Sequence, residues 1–135
     1  MTSNNLRILV VEDNPADAFL IQEALRKHDS SGQTLAISNG DIAIRYLAEN
    51  TPDLVVLDLN IPGRDGVEIL QFIREQLRLS KVVVVIFSSS PIDAIERKAP
   101  EADAHLQKPF DLDEFLAVGQ KIFSCYERVR AASAQ

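Results

Sequence analysis

Cysteine is almost absent from this sequence, and its one cysteine, Cys125, excludes a disulfide within the chain and suits a reducing compartment. Long apolar runs are also missing, since the mostly apolar segment Leu6–Val11 is far shorter than the roughly 20 residues of a transmembrane helix. The polar start of the chain, Met1–Asn5, lacks the features of a signal peptide. Basic clusters are missing as well, and a formal net charge of −6 argues against nucleic acid as a ligand. We therefore expect a cytoplasmic protein that binds neither nucleic acid nor membranes.

Material for a folded core is present. The chain has 135 residues, of which 46% are hydrophobic and 25% are charged, as in a typical globular protein. A chain of this length normally forms one domain. Because no repeat or linker divides the sequence, we expect a single domain over residues 1–135, with a core over 6–130, a short tail at 131–135 and no output domain.

Short apolar segments alternate with helical patterns along the chain. Segments rich in Val, Ile and Leu without polar alternation are typical of strands buried on both faces of a parallel sheet. Three such segments are Leu6–Val11, Asp53–Leu59 and Lys81–Phe87, and two more polar ones, Thr34–Ser38 and Ala104–Gln107, suit sheet edges. Helical patterns begin at Asn14 and Asp65 and cover Asp41–Glu49, Ile92–Ala99 and Asp111–Arg130. Five strands, each followed by a helix, predict a doubly wound α/β fold.

Polar residues follow four of these predicted strands. Glu12 and Asp13 follow the first strand, Asp58 closes the third, Ser88 follows the fourth and Lys108 follows the fifth. In open parallel sheets, ligands bind beyond the carboxyl ends of the strands. Three carboxylates at one edge would repel one another unless a cation joins them, and Mg²⁺ is a hard cation that prefers oxygen ligands. The sequence therefore predicts a Mg²⁺ site at this edge, with the lysine as a second positive charge.

A family resemblance rests on five motifs. They are Val11–Asn14, Leu57–Gly63, Asp65-Gly66, Ser88-Ser89 and Lys108–Phe110. With these motifs the chain resembles the receiver domain of two-component response regulators, the CheY-like family, from Leu6 to about Ile122. The resemblance implies a flavodoxin-like (βα)5 domain with strand order 2-1-3-4-5. More loosely, the chain looks like stand-alone regulators that partner phytochrome-type kinases.

The resemblance also implies a role for each residue that contacts the metal. Asp58 is the implied phosphoacceptor and a metal ligand, and its carboxylate attacks a phosphohistidine as a nucleophile. Asp13 is implied to bind Mg²⁺ directly, and Glu12 through a water molecule. Asn60 is implied to offer its backbone carbonyl to the metal, with its side chain over the phosphoryl group.

Further implied roles concern the phosphoryl group and the conformational switch. Ser88 and Lys108 are expected to bind phosphoryl oxygens and to act with Asp58 in phosphoryl transfer. Ser88 also belongs to the implied switch, together with a residue three positions before the lysine, which is His105 here. That histidine either fills the switch position or is a surface residue on an edge strand. The resemblance further implies a cis bond between Lys108 and Pro109.

The last predicted helix carries two apolar rows, whereas a helix packed on a sheet needs one. The second row consists of Phe115, Val118, Ile122, Cys125 and Val129. Either the helix is tightly buried, or the second row is a face that binds a partner. We predict a homodimer through this row, because its spacing is close to the 3.5-residue period of paired helices.

These observations predict a single-domain response regulator. It accepts a phosphoryl group from a sensor histidine kinase, for which a bacteriophytochrome is one candidate, and signals through protein contacts. We expect no enzymatic activity beyond its own phosphoryl transfer and dephosphorylation. Two alternatives remain open: a pseudo-receiver that only binds partners, and a phosphatase with an aspartate nucleophile. The phosphatase would favour a second acid two residues after Asp58, where Asn60 stands.

Overall fold

The computed structural model of the chain describes residues 6–28 and 32–133 and contains one parallel sheet of five strands in the order 2-1-3-4-5. The strands are β1 (Arg7–Val11), β2 (Gln33–Ile37), β3 (Leu54–Leu57), β4 (Val83–Ser88) and β5 (Ala104–Gln107). The predicted fold and strand order are confirmed. The predictions for Met1–Asn5 and for residues 134 and 135 lie outside the described residues.

Burial follows the position of each strand in the sheet. Every residue of the two strands β3 and β4 is buried, and so are four of the five residues of β1. The edge strands β2 and β5 are only partly covered. Central strands need apolar side chains on both faces. This requirement explains why the sequence marks the three central strands much more clearly than the two edges.

Within the described residues, five α-helices cover the two faces of the sheet. They are α1 (Pro15–His28), α2 (Gly40–Glu49), α3 (Gly66–Glu75), α4 (Ile92–Lys98) and α5 (Leu112–Ser133), and a single 3-10 turn covers Leu77–Leu79. The helices α1 and α5 share one apolar core with the sheet, whereas α2, α3 and α4 share the core on the other face. Within the described part of the chain, no helix is long and apolar enough to cross a membrane.

The second apolar row of α5 lies inside the domain, so its prediction as the centre of a dimer interface is wrong. Ile122 is fully buried, and the Phe115 ring packs edge-on against Phe87 with ring centroids 5.1 Å apart. Val118 and Cys125 are also buried, and Val129 packs against the same core.

The helix needs two rows because it packs against two neighbours, the sheet and α1. On the α1 side, a Cβ atom at Gly119 would lie 2.3 Å from the carbonyl oxygen of Ala24, so only glycine permits this approach. The helix also continues through Ser133, where the sequence predicted a tail from residue 131.

The short helix α4 is held at its C-terminal end. Just beyond its last turn, the carbonyl oxygen of Ala99 accepts a hydrogen bond from Nε2 of His105. The following loop is tied to α3 by Arg74, which donates to the carbonyl oxygen of Glu101 at 3.0 Å and to Oδ2 of Asp103 at 2.9 Å. At the other end, α4 begins after Pro91, whose side chain has no hydrogen-bonding group to cap the helix.

Candidate functional site

The carboxyl ends of β1 and β3 bring three acidic residues together. Glu12 and Asp13 directly follow β1, and Asp58 directly follows β3. One carboxylate oxygen of each lies within 4.8 Å of the others, with Glu12 and Asp58 buried and Asp13 exposed. The structure therefore assembles the acidic cluster that the strand ends predicted.

Lys108 joins this cluster from the loop after β5. Its ammonium nitrogen donates hydrogen bonds to Oδ2 of Asp58 and Oδ2 of Asp17, both at 2.9 Å. The same nitrogen lies 2.7 Å from Oε1 of Glu12 in an ion pair. Only 10% of the lysine side chain is exposed, and its backbone N–H donates to the carbonyl oxygen of Ser88 at 2.8 Å. The fourth and fifth strands thus reach the same edge, as predicted.

Asp17 is a partner of Lys108 that the sequence analysis did not assign to the site. It stands in the first turn of α1, where the side chain of Asn14 caps the helix by accepting from the backbone N–H groups of Ala16 and Asp17 at 2.9 and 3.1 Å. The sequence analysis placed it only within the helical pattern that begins at Asn14. The start of α1 follows β1 closely in the sequence. An acid in the first turn of this helix therefore lies near the carboxyl end of β1, and this signal could have placed Asp17 at the sheet edge.

Burial and ion pairing shift two pKa values in the site. Desolvation raises the pKa of Glu12 to about 7, although the hydrogen bond and charge of Lys108 act in the opposite direction. Burial alone would lower the pKa of Lys108, but its contacts with Glu12, Asp17 and Asp58 outweigh burial and raise it. The lysine is therefore charged at every physiological pH, whereas Glu12 gains or loses its proton near neutrality.

The donor set fits a divalent metal. Oε1 of Glu12 is buried and is paired with the ammonium nitrogen of Lys108 at 2.7 Å. One carboxylate oxygen of Glu12 also lies within 4.8 Å of one from Asp13 and one from Asp58, and like charges this close favour a shared cation. Carboxylate oxygens are the preferred ligands of hard divalent cations. The residues that would hold the metal are therefore those of the acidic cluster.

The loop after Asp58 is held close to the site. The backbone N–H of Asn60 donates to Oδ1 of Asp58 at 3.2 Å, and the Asn60 residue itself is exposed. A Cβ atom at Gly66 would lie 2.4 Å from the carbonyl oxygen of Asp58, so α3 starts directly against Asp58. The start of α3 is fixed by a capping box between Asp65 and Glu68.

The two predicted switch residues lie in different surroundings. Ser88 is fully buried at the end of β4, and its hydroxyl oxygen accepts from the backbone N–H of Ser90 at 3.4 Å. His105 is partly buried and bonds to the end of α4, so it is not a free surface histidine. The bond between Lys108 and Pro109 is trans, and the prediction of a cis bond is wrong. A bond before proline intrinsically favours trans.

Comparison with known proteins agrees with this geometry. The family model described as the response regulator receiver domain matches residues 8–119. Sporulation initiation phosphotransferase F of Bacillus subtilis (strain 168) is 38% identical over 114 residues, which are 82% of this chain and 87% of that protein. The transcriptional regulatory protein KdpE of Mycobacterium tuberculosis is 34% identical over 112 residues, which are 82% of this chain and 47% of KdpE. The chain thus spans about half the length of KdpE.

Solved structures show the same relationship. The crystal structure of the phosphorylated cyanobacterial phytochrome response regulator RcpA has a TM-score of 0.83 and 29% identity, covering 91% of this chain and 94% of RcpA. The Mn(2+)-bound form of response regulator Rcp1 has a TM-score of 0.78 and 29% identity, covering 88% of this chain and 92% of Rcp1. Since the family model matches residues 8–119, which are most of the chain, the chain belongs to the family of response regulator receiver domains.

Proposed function

We propose that Asp58 accepts a phosphoryl group from the phosphohistidine of a sensor histidine kinase, with Mg²⁺ bound by the acidic cluster. The observation that carries the proposal is the position of the Asp58 carboxylate. It lies within 4.8 Å of carboxylate oxygens of Glu12 and Asp13 and accepts a hydrogen bond from Lys108 at 2.9 Å. An acceptor between a cation site and an ammonium group is suited to receive an anionic phosphoryl group.

The transfer exchanges one bond for another at phosphorus. A carboxylate oxygen of Asp58 forms the new O–P bond while the P–N bond to the donor imidazole breaks, and the electron pair leaves with the imidazole, which takes up a proton. When bound, Mg²⁺ supplies positive charge that offsets the charge of the phosphoryl oxygens. Lys108 keeps its proton throughout, because its pKa is raised, and donates a hydrogen bond to a phosphoryl oxygen. Ser88 donates its hydroxyl hydrogen to another phosphoryl oxygen, and Asn60 covers the opening.

The donor protein must contact the rim around Asp58. Beside Lys108 the rim contains a cavity of about 320 Å³, which is lined on its apolar side by Leu20, Phe110, Leu112 and Phe115. Phe110 is fully exposed and Leu112 is more than half exposed. Exposed apolar side chains beside a reactive group favour protein contact. We propose that the kinase binds here, and the similarity to the phytochrome response regulator RcpA supports a phytochrome-type kinase as the partner.

The domain is proposed to act in the cytoplasm as a signalling protein, with no catalysis beyond its own phosphorylation and dephosphorylation. Its output passes through contacts that depend on the phosphoryl state, with Ser88 and His105 as the switch. Homodimerisation remains a prediction, and the surface involved is other than the buried row of α5. Sedimentation velocity of the unphosphorylated and phosphorylated protein tests it, and a monomer in both states would contradict it.

Mg²⁺-dependent labelling with acetyl phosphate tests the proposed function. We expect a stable acyl phosphate on the wild type and none on the Asp58→Asn variant, whose fold is retained because the two side chains have the same shape. Asp93→Asn, an exposed acid in the first turn of α4, is the matched control and keeps full labelling. Rapid turnover of phosphodonor without a stable label would indicate a phosphatase, and an unlabelled wild type would indicate a module that only binds partners.

A further inference from the structure

The ammonium group of Lys108 contacts three carboxylates, and the proposed function engages two of them in other ways. Glu12 belongs to the metal cluster, and Asp58 becomes an acyl phosphate. Both contacts with the lysine therefore change when the domain binds metal and accepts a phosphoryl group. Asp17 is the third partner, at 2.9 Å, and it is not a member of the three-carboxylate cluster. Asp17 is therefore the carboxylate partner of Lys108 that takes part in neither metal binding nor phosphoryl transfer.

The backbone at Asp17 is held by the cap of α1. The aspartate lies in the first turn of α1, and the cap that Asn14 forms holds the backbone of that turn. Its side chain is 26% exposed, against 2% for Glu12 and 8% for Asp58. A carboxylate near a helix N-terminus is also favoured by the helix dipole. Asp17 thus offers Lys108 a charged acceptor that is attached to a rigid element at the edge of the opening.

A lysine needs such an anchor because its ammonium group stands at the end of a flexible four-carbon chain. If Glu12 bound the metal and Asp58 carried the phosphoryl group, the Lys108 side chain would lose both of these partners. Fixing its conformation again at each transfer would then cost side-chain entropy. A retained hydrogen bond to Asp17 keeps the nitrogen beside Asp58 while its remaining N–H groups turn to the phosphoryl oxygens. An ammonium has three donors, so one can stay on Asp17.

We infer that Asp17 is a positioning residue for phosphoryl transfer, which holds Lys108 beside Asp58 in both the free and the phosphorylated state. The inference deepens the proposed function and rests on it. It makes Asp17 act through the lysine alone, so the affinity for Mg²⁺ does not depend on it. Asp17 and Lys108 also tie the start of α1 to the loop after β5 across the opening of the site.

The test compares Asp17→Ala and Asp17→Asn with the wild type and with Asp113→Asn. Asp113 is an exposed acid in the first turn of α5 that is not among the partners of Lys108, so it controls for the change in charge. Three quantities are measured: the rate constant of labelling by acetyl phosphate at saturating Mg²⁺, the Kd for Mg²⁺, and the NMR signal of the Lys108 ammonium group with bound beryllofluoride, a phosphoryl mimic. A hydrogen-bonded ammonium exchanges its hydrogens with water slowly and gives a visible signal.

We expect the labelling rate of Asp17→Ala to fall about three- to tenfold, which corresponds to one ordinary hydrogen bond, because the partial exposure of Asp17 weakens its contact with the lysine charge. Its ammonium signal broadens, while the Kd for Mg²⁺ stays within a factor of about two. Asp17→Asn, which keeps an acceptor oxygen of the same shape, lies between the alanine variant and the wild type. Asp113→Asn matches the wild type.

An unchanged or faster labelling rate in both Asp17 variants would overturn the inference, and a faster rate would mean that Asp17 competes with the phosphoryl group for the lysine. A Kd for Mg²⁺ that rises as much as the rate falls would also overturn it, because Asp17 would then belong to the cation site. These results differ from a failure of the proposed function, in which the wild type itself is not labelled and the inference fails with it.

Discussion

Replacing Lys108 with methionine removes a positive charge that contacts three carboxylates. The methionine fills a similar volume, so the main loss is electrostatic. Glu12 and Asp58 have side chains only 2% and 8% exposed, and they would lose their shared cation without gaining access to water. Removing one partner from a buried pair costs about 3–5 kcal/mol. We take the lower end, about 3 kcal/mol, because Asp17 is 26% exposed and partly solvated.

For a chain of 135 residues, this loss corresponds to a fall in Tm of about 10 °C. The fall in Tm depends on pH because the charge of Glu12 depends on pH. The pKa of Glu12 is about 7 in the wild type, and it rises further when the lysine that lowers it is removed. At pH 5 Glu12 is neutral and needs no cation, so the variant loses less stability there than at pH 8. Added Mg²⁺ restores part of the loss at pH 8, because it replaces the missing positive charge.

Thermal unfolding followed by circular dichroism measures these effects at pH 5 and pH 8, with EDTA or with Mg²⁺. Lys121→Met is the control, since Lys121 is exposed on α5 and the substitution is the same. A Tm within about 1 °C of the wild type at pH 8 in EDTA would refute the reasoning. It would mean that water, and not the lysine, balances the charges of the buried acids.

Three further predictions follow from the same structure. In EDTA the unfolding free energy of the wild type falls by about 1–3 kcal/mol as pH rises from 4.5 to 7, because folded Glu12 keeps a proton that the unfolded chain releases. Urea titrations at several pH values measure this fall, and an unfolding free energy that does not change with pH would contradict it. Asp13→Asn weakens Mg²⁺ binding, as measured by calorimetry, but raises the Tm of the metal-free protein by about 1–3 °C, because it removes an exposed like charge from the cluster. A clear fall in Tm would show that Asp13 supports the fold. Ile122→Ala lowers the unfolding free energy by about 2–5 kcal/mol, whereas Ile92→Ala, on the exposed side of α4, changes it little; equal effects would contradict the burial of the α5 row.

Local sequence patterns predicted the fold and most of the site, because parallel strands bring their carboxyl ends together whatever the details of packing. Glu12, Asp13, Asp58 and Lys108 each adjoin a strand end, so the strand pattern alone was enough to group them. Asp17 was missed because its contact with Lys108 joins residues 91 positions apart, and the helix-start pattern gave a sufficient reason for an acid there.

The wrong prediction for the second row of α5 has a physical cause. Apolar spacing shows that a helix face is buried, but it does not show what covers the face. The row that contains Ile122 was assigned to a second copy of the chain, whereas β4 and its neighbours cover it within one domain. Likewise, the bonding of His105 to the end of α4 depends on how a seven-residue helix packs beside β5, which no local pattern specifies.

The unequal attachment of α4 sets which end of this helix opens first. Its C-terminal end is joined to β5 through His105, and the loop beyond is joined to α3 through Arg74, while Pro91 leaves the N-terminal end without a side-chain cap. Local unfolding starts where the fewest contacts must break. The helix therefore frays from Ile92 onwards, and the amide hydrogens of its first turn exchange with water sooner than those near Ala99. Because that first turn lies only four residues after Ser88, a small displacement of β4 reaches the least stable part of the helix before any other.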